Sequence, residues 1–180
     1  MRFIAILLIV SGSWFTGQAQ QVGFGKHSKI YLVRHAEKGP GTDPLLTAAG
    51  NKRAGDLARE LQSKNIRRIY ITEYRRTQNT ADSLRIRLQI DTVHYLSDTS
   101  CTDLLSKIMR NKDRDDAILI IGHSNTIPLI IRKLGLSDYP SEPISDKEFD
   151  NLYLLTRRGG KARLTKTKYG ALSGESARMH

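Results

Sequence analysis

A single cysteine, Cys101, stands in 180 residues, which excludes an internal disulfide and any cluster of thiolate metal ligands. Proline numbers only 5 against an ordinary 14 glycines, so neither a collagen-like nor a proline-rich disordered chain is in view. The longest apolar run, Phe3 to Val10, is far short of the ~20 residues a helix needs to cross a bilayer core, so no permanent membrane anchor is expected. Two phosphate-chemistry signatures are missing. No G-x-x-x-x-G-K-[ST] loop occurs, and counting C-x5-R from Cys101 places Lys107 where arginine is required. Acidic residues are also scarce: 18 Asp and Glu face 29 Lys and Arg, for a net charge of +11. Such a field draws anions, although the same charge also serves solubility. No zinc finger, leucine zipper or aromatic-rich RNA-binding signature accompanies it, so no specific nucleic-acid partner is expected.

The length fits one domain. Residues 1–19 place Arg2, an apolar block and then small and polar residues ending Gly17-Gln18-Ala19. That is the layout of a secretory signal peptide cleaved near Ala19, and it predicts export to a periplasm or beyond. The competing reading is a buried N-terminal strand or helix. Residues 20–28 then form a lead-in, residues 29–170 the folded domain, and residues 171–180 a tail with too little to bury.

Within the domain, strand and helix patterns alternate. Ile30 to Val33 is a short apolar run of the kind a strand buried on both faces requires. Thr47 reads as a helix N-cap, followed by Ala54, Leu57, Ala58 and Leu61 at helical spacing, which predicts a helix over 47–62. A strand over 69–72, a helix over 77–88, a strand over 92–96 and a helix over 102–109 follow. The most apolar strand, 117–122, precedes a helix over 127–134, with Pro128 in its first turn. Two closing segments, 151–156 and 162–168, flank Arg157-Arg158-Gly159-Gly160-Lys161 and predict a hairpin. The expected fold is α/β: a single three-layer domain, its mostly parallel sheet flanked by helices, with a C-terminal hairpin.

In such sheets, sites collect at the carboxyl ends of strands. Arg34-His35-Ala36-Glu37 follows the first predicted strand, Arg75-Arg76 lies beyond the second, and His123-Ser124-Asn125 follows the strand ending at Gly122. Two arginines suit a phosphoryl group, because guanidinium forks grip its oxygens bidentately and keep their charge. A neutral imidazole attacks phosphorus near pH 7, where a hydroxyl would need a base. A second imidazole, protonated under the phosphate's own charge, donates a hydrogen bond to the transferring group.

Val33-Arg34-His35-Ala36-Glu37-Lys38, Thr72-Glu73-Tyr74-Arg75-Arg76-Thr77-Gln78-Asn79-Thr80-Ala81 and Gly122-His123-Ser124-Asn125 together resemble the histidine phosphatase superfamily, also called phosphoglycerate mutase-like. The likeness covers about residues 30–134 and is nearest in pattern to the small phosphohistidine-phosphatase-like members. Leu45-Leu46-Thr47-x-x-Gly50 adds the family's opening to its first helix. The resemblance implies His35 as nucleophile, Arg34 as its companion, Arg76 as second arginine (Thr80-Ala81 set that register) and His123 as second histidine. It also implies a phosphatase acting on a small phosphorylated substrate through a phosphohistidine, with no metal and no cofactor. Ala36 departs from the family's glycine, and Thr72-Glu73 from its Ser-Pro. Asp98 or Asp103 stands where larger members carry a proton donor; helix capping or a solvated loop is the competing reading of each.

Alternatives fare less well. A phosphomutase would need a grip on a second, longer substrate, and a binding module would keep the anion pocket without turnover. Gly122-His123-Ser124-Asn125-Thr126 falls one residue short of the G-x-S-x-G elbow of serine hydrolases, and only His180 follows Ser124 as a triad histidine. His35, Glu37 and His123 offer metal ligands, but two flanking arginines would repel a dication. His27 and His94 have no motif around them.

Overall fold

A computed structural model describes residues 28–113, 115–158 and 161–173. The stretch expected to be a signal peptide, and most of the expected lead-in and tail, lie outside the described residues. Ten elements alternate as expected: β1 (Lys29–Arg34), α1 (Ala48–Leu61), β2 (Ile66–Thr72), α2 (Arg75–Leu88), β3 (Thr92–Tyr95), α3 (Thr102–Arg110), β4 (Ala117–Gly122), α4 (Thr126–Lys133), β5 (Asn151–Arg158) and β6 (Lys161–Lys168). They form a six-stranded sheet in the order β3-β2-β4-β1-β5-β6. The β1-β4, β2-β4 and β2-β3 pairs are parallel, and the β5-β6 hairpin joins β1 antiparallel. The predicted class therefore holds: α/β, mostly parallel, with helices on both faces and a closing hairpin.

The central strands read as unbroken apolar runs because each face has its own core. Ile30, Leu32, Ile118 and Ile120 pack with Leu104, Ile108, Ile127 and Ile131 of α3 and α4. The alternate residues Tyr31, Val33, Leu119 and Ile121 pack with Leu57, Leu61, Ala81 and Leu84 of α1 and α2. A period of two within the strands thus feeds two helical layers.

Several boundaries shift by one to three residues, and three differences have a clear physical reason. Strand β2 starts at Ile66 rather than 69, since Arg68, polar in the sequence, is held in the sheet by an ion pair from Nε to Asp113 at 2.7 Å. Helix α2 starts at Arg75 rather than 77, because its first amide finds an acceptor far away in the chain, Asp43 Oδ1 at 3.0 Å. The predicted tail begins at Ala171, yet the Ala171 carbonyl accepts from Arg53 Nη1 and the Ser173 amide donates to Asp150.

The start of α1 is built onto the loop that follows β1. Thr47 caps the helix through the Gly50 amide, and its own amide donates to the Glu37 carbonyl at 3.0 Å. A Cβ on Gly50 would stand 2.1 Å from that same carbonyl oxygen. Gly50→Ala must therefore push helix and loop apart; we expect a loss of about 3 kcal/mol in urea unfolding, and an unchanged midpoint would contradict the contact.

Candidate active site

Strands β1 and β4 run side by side with Arg34 level with Gly122, and the His35 amide donates to the Gly122 carbonyl at 2.9 Å. The next residue of each chain segment is a histidine. Their rings meet with centroids 5.4 Å apart. Strand β2 pairs with β4 on its other side and delivers Thr72, Tyr74 and Arg76 to the same end of the sheet. A cleft of about 340 Å³ opens there, lined by Arg34, His35, Arg76 and His123 together with Lys38, Tyr74, Ser97, Ser124, Asn125 and Asp146. All four residues singled out in the sequence therefore face one hollow. A larger hollow of about 560 Å³ between the turn after α4 and β6 contains none of them.

His35 is 3% exposed, and its Nδ1 lies 2.8 Å from the carbonyl oxygen of Ala36. A carbonyl only accepts, so Nδ1 carries the proton and Nε2 is left with a lone pair. Desolvation lowers the His35 pKa from 6.5 to about 3, with His123 and the two guanidiniums adding to the effect. The ring is therefore neutral at pH 7. Its loop is fixed to α2: the Ala36 amide donates to Thr80 Oγ1 at 2.9 Å, and that hydroxyl donates to the Arg76 carbonyl at 2.7 Å. One threonine thus joins the two arginine-bearing motifs.

His123 is oriented by Thr72, whose Oγ1 lies 3.0 Å from its Nε2, while Nδ1 turns toward Arg76 Nη2 at 3.4 Å. Arginine only donates, so Nδ1 accepts and Nε2–H donates to Thr72. Burial lowers the His123 pKa to about 4, and Arg76 contributes. An anion arriving in the cleft reverses that balance and draws a proton onto Nδ1.

Each guanidinium lies against an aromatic ring. Arg34 Cζ sits 4.2 Å from the Phe149 centroid and Arg76 Cζ 4.0 Å from that of Tyr74. Stacking holds the plane flat without using its N–H donors. Arg34 donates from Nη1 to the carbonyls of Ser145 and Glu148, at 2.9 and 3.4 Å, and from Nη2 to Asp146 at 3.1 Å. Asp43 stands 3.8 Å from Arg76 Nη1.

Glu37, in the first motif, has a structural part. Glu37 is engaged by buried Arg53 through Nε and Nη2 at 2.7 to 2.9 Å, and Arg53 Nη1 continues to the carbonyls of Tyr169 and Ala171. Neither Asp98 nor Asp103 lines the cleft. Asp103 accepts from the Leu96 amide and from Lys107, and Asp98 takes the Ser100 hydroxyl, whose oxygen in turn accepts the Thr102 amide at the start of α3. Among the described residues, no group of three His, Cys, Asp or Glu side chains is placed to hold a metal ion. Tyr74, Phe149, Thr80 and Asp146 carry no role in the sequence analysis. Tyr74 and Thr80 lie inside a recognised motif, whereas Phe149 and Asp146 sit in a loop with no pattern of its own.

Comparison with known proteins agrees with this geometry. Residues 30–100 match the model of the "Histidine phosphatase superfamily (branch 1)". The structure is similar to the protein histidine phosphatase SixA complexed with tungstate (15% identity, TM-score 0.59, covering 78% of this chain and 96% of that one). It is also similar to a mycobacterial glucosyl-3-phosphoglycerate phosphatase complexed with VO3 (12%, 0.60, 79% and 99%). A third likeness is to phosphoserine phosphatase from Entamoeba histolytica in complex with 3-phosphoglyceric acid (18%, 0.59, 80% and 98%). Comparison with curated proteins gave no match. Residues 30–100 thus match the histidine phosphatase superfamily model, and the fold of the chain is similar to that of these solved phosphatases.

The depressed histidine pKa values have a consequence for stability. Between pH 6.5 and about 4 the unfolded chain protonates both imidazoles while the folded, ligand-free chain does not, so stability falls as pH drops through that window. Thermal unfolding should show this decline, and a His35→Asn, His123→Asn double variant should show a flatter one. An equal slope in both proteins would contradict the buried neutral state.

Proposed function

We propose that this protein is a phosphatase that hydrolyses a phosphate monoester, or a related phosphorylated compound, through a phosphohistidine. The observation that carries the proposal is the tautomer of His35: a neutral ring with its lone pair on Nε2, at a cleft shared with two guanidiniums. The phosphoryl group enters between Arg34, Arg76 and His123, which offset charge on its non-bridging oxygens. Nε2 forms a bond to phosphorus as the ester P–O bond breaks, and the ester oxygen departs and takes up a proton. The imidazole keeps its Nδ1 proton on the Ala36 carbonyl throughout, which steadies the positive charge the ring acquires. Water then attacks phosphorus, the N–P bond breaks, and phosphate leaves with His35 restored.

The names of the similar structures favour this class of reaction. They include a protein histidine phosphatase and phosphatases of small phosphorylated molecules, so a phosphoprotein and a small metabolite are both within the proposed class. The pattern of residues 1–19 supports action outside the cytoplasm.

Labelled aryl phosphate mixed with the protein and quenched should leave an acid-labile, base-stable adduct. His35→Ala should abolish it and lower kcat by at least about a thousandfold. Turnover that survives His35→Ala, or an acid-stable adduct on another residue, would overturn the mechanism.

A further inference from the structure

Asp146 is the one carboxylate among the described residues that line the cleft. It approaches from the loop before β5, and its Oδ1 lies 3.1 Å from Arg34 Nη2 on a side chain that is 92% exposed. The same loop supplies two other acceptors for Arg34, the carbonyls of Ser145 and Glu148 on Nη1. Those are backbone atoms, fixed in place. The Asp146 carboxylate is different: it is solvated and movable, and it sits on the Nη2 corner of a guanidinium that the proposed reaction needs for a phosphoryl oxygen.

A phosphate dianion and a carboxylate on one guanidinium repel each other. Relief comes from a positive charge placed between them, and the substrate's leaving group is the part able to supply it. Resting on the phosphatase reading above, we propose that Asp146 is a specificity-determining residue that sorts substrates by the charge beside their phosphate. It favours a leaving group bearing an ammonium or similar cation and disfavours one bearing a carboxylate or second phosphate. Selection against the wrong charge is as much a part of this as attraction of the right one. Lys38 lines the same cleft and pulls the other way, so the test reads the change on altering Asp146 rather than an absolute preference.

Three ligands of similar size separate the possibilities: phosphoethanolamine, ethyl phosphate and phosphoglycolate. Their dissociation constants are to be measured by calorimetry on the full chain carrying His35→Ala, which keeps the ligands intact, with and without Asp146→Asn. The ratio of the phosphoglycolate to the phosphoethanolamine constant should fall by roughly threefold to tenfold with Asp146→Asn, the scale for an exposed ion pair. Asp146→Glu should preserve it, and Asp138→Asn, a substitution in the other hollow, should leave it unmoved. If ethyl phosphate binds but the ratio stays within twofold, or shifts equally with Asp138→Asn, Asp146 has no such role while the anion site stands. If none of the three binds, the phosphatase reading fails and this inference fails with it.

Discussion

The chemistry of the cleft turns on where one proton is held. His35 Nδ1–H donates a hydrogen bond to the carbonyl of the next residue, and that tautomer leaves the lone pair on Nε2. The carbonyl stays in place because the peptide around it is tied on several sides. The His35 amide reaches β4 through Gly122, the Ala36 amide reaches α2 through Thr80, and the Glu37 carbonyl receives the cap of α1. Glu37 itself is gripped by Arg53, which in turn holds the segment after β6 at the Tyr169 and Ala171 carbonyls. A short loop is thereby tied to β4, α2 and α1, and side chains positioned this way spend little free energy on organising when a ligand arrives.

The electrostatics of the cleft follow from the same burial. Two guanidiniums lie near two imidazoles that burial keeps neutral, so the site is cationic while the His35 ring stays unprotonated. Arginine fits this position because its planar group stacks on a ring without spending N–H donors on the contact; Arg34 spends its own on the Ser145 and Glu148 carbonyls and on Asp146. Phe149 and Tyr74 supply those rings from positions 75 residues apart in the sequence. His123 is the adjustable member. Thr72 fixes one nitrogen, and the other faces Arg76 until an anion offers a better partner.

Much of this was legible in the sequence. Apolar runs such as 117–122 can only be strands covered on both faces, and alternation with helical periodicity then places strand ends, and the motifs after them, on one side of the sheet. That reasoning brings Arg34, His35, the Arg75-Arg76 pair and His123 to one end of the sheet, and the family resemblance singles out Arg76. What stayed hidden depends on partners distant in sequence. Arg68 looks like a loop residue until Asp113 is seen beside it, and Asp43 starts α2 from 32 residues upstream. Phe149 and Asp146 reach the cleft from a loop more than a hundred residues after Arg34. A loop without periodicity gives no sign of which side chains turn inward.

The central claim concerns a single atom, His35 Nε2, and a phosphate-shaped oxyanion reports on it directly. A crystal of the protein soaked in orthovanadate should show vanadium bonded to that nitrogen, with its equatorial oxygens taking hydrogen bonds from Arg34, Arg76 and His123. Vanadate bound elsewhere, or a His35 ring turned so that Nδ1 faces the cleft, would contradict the account.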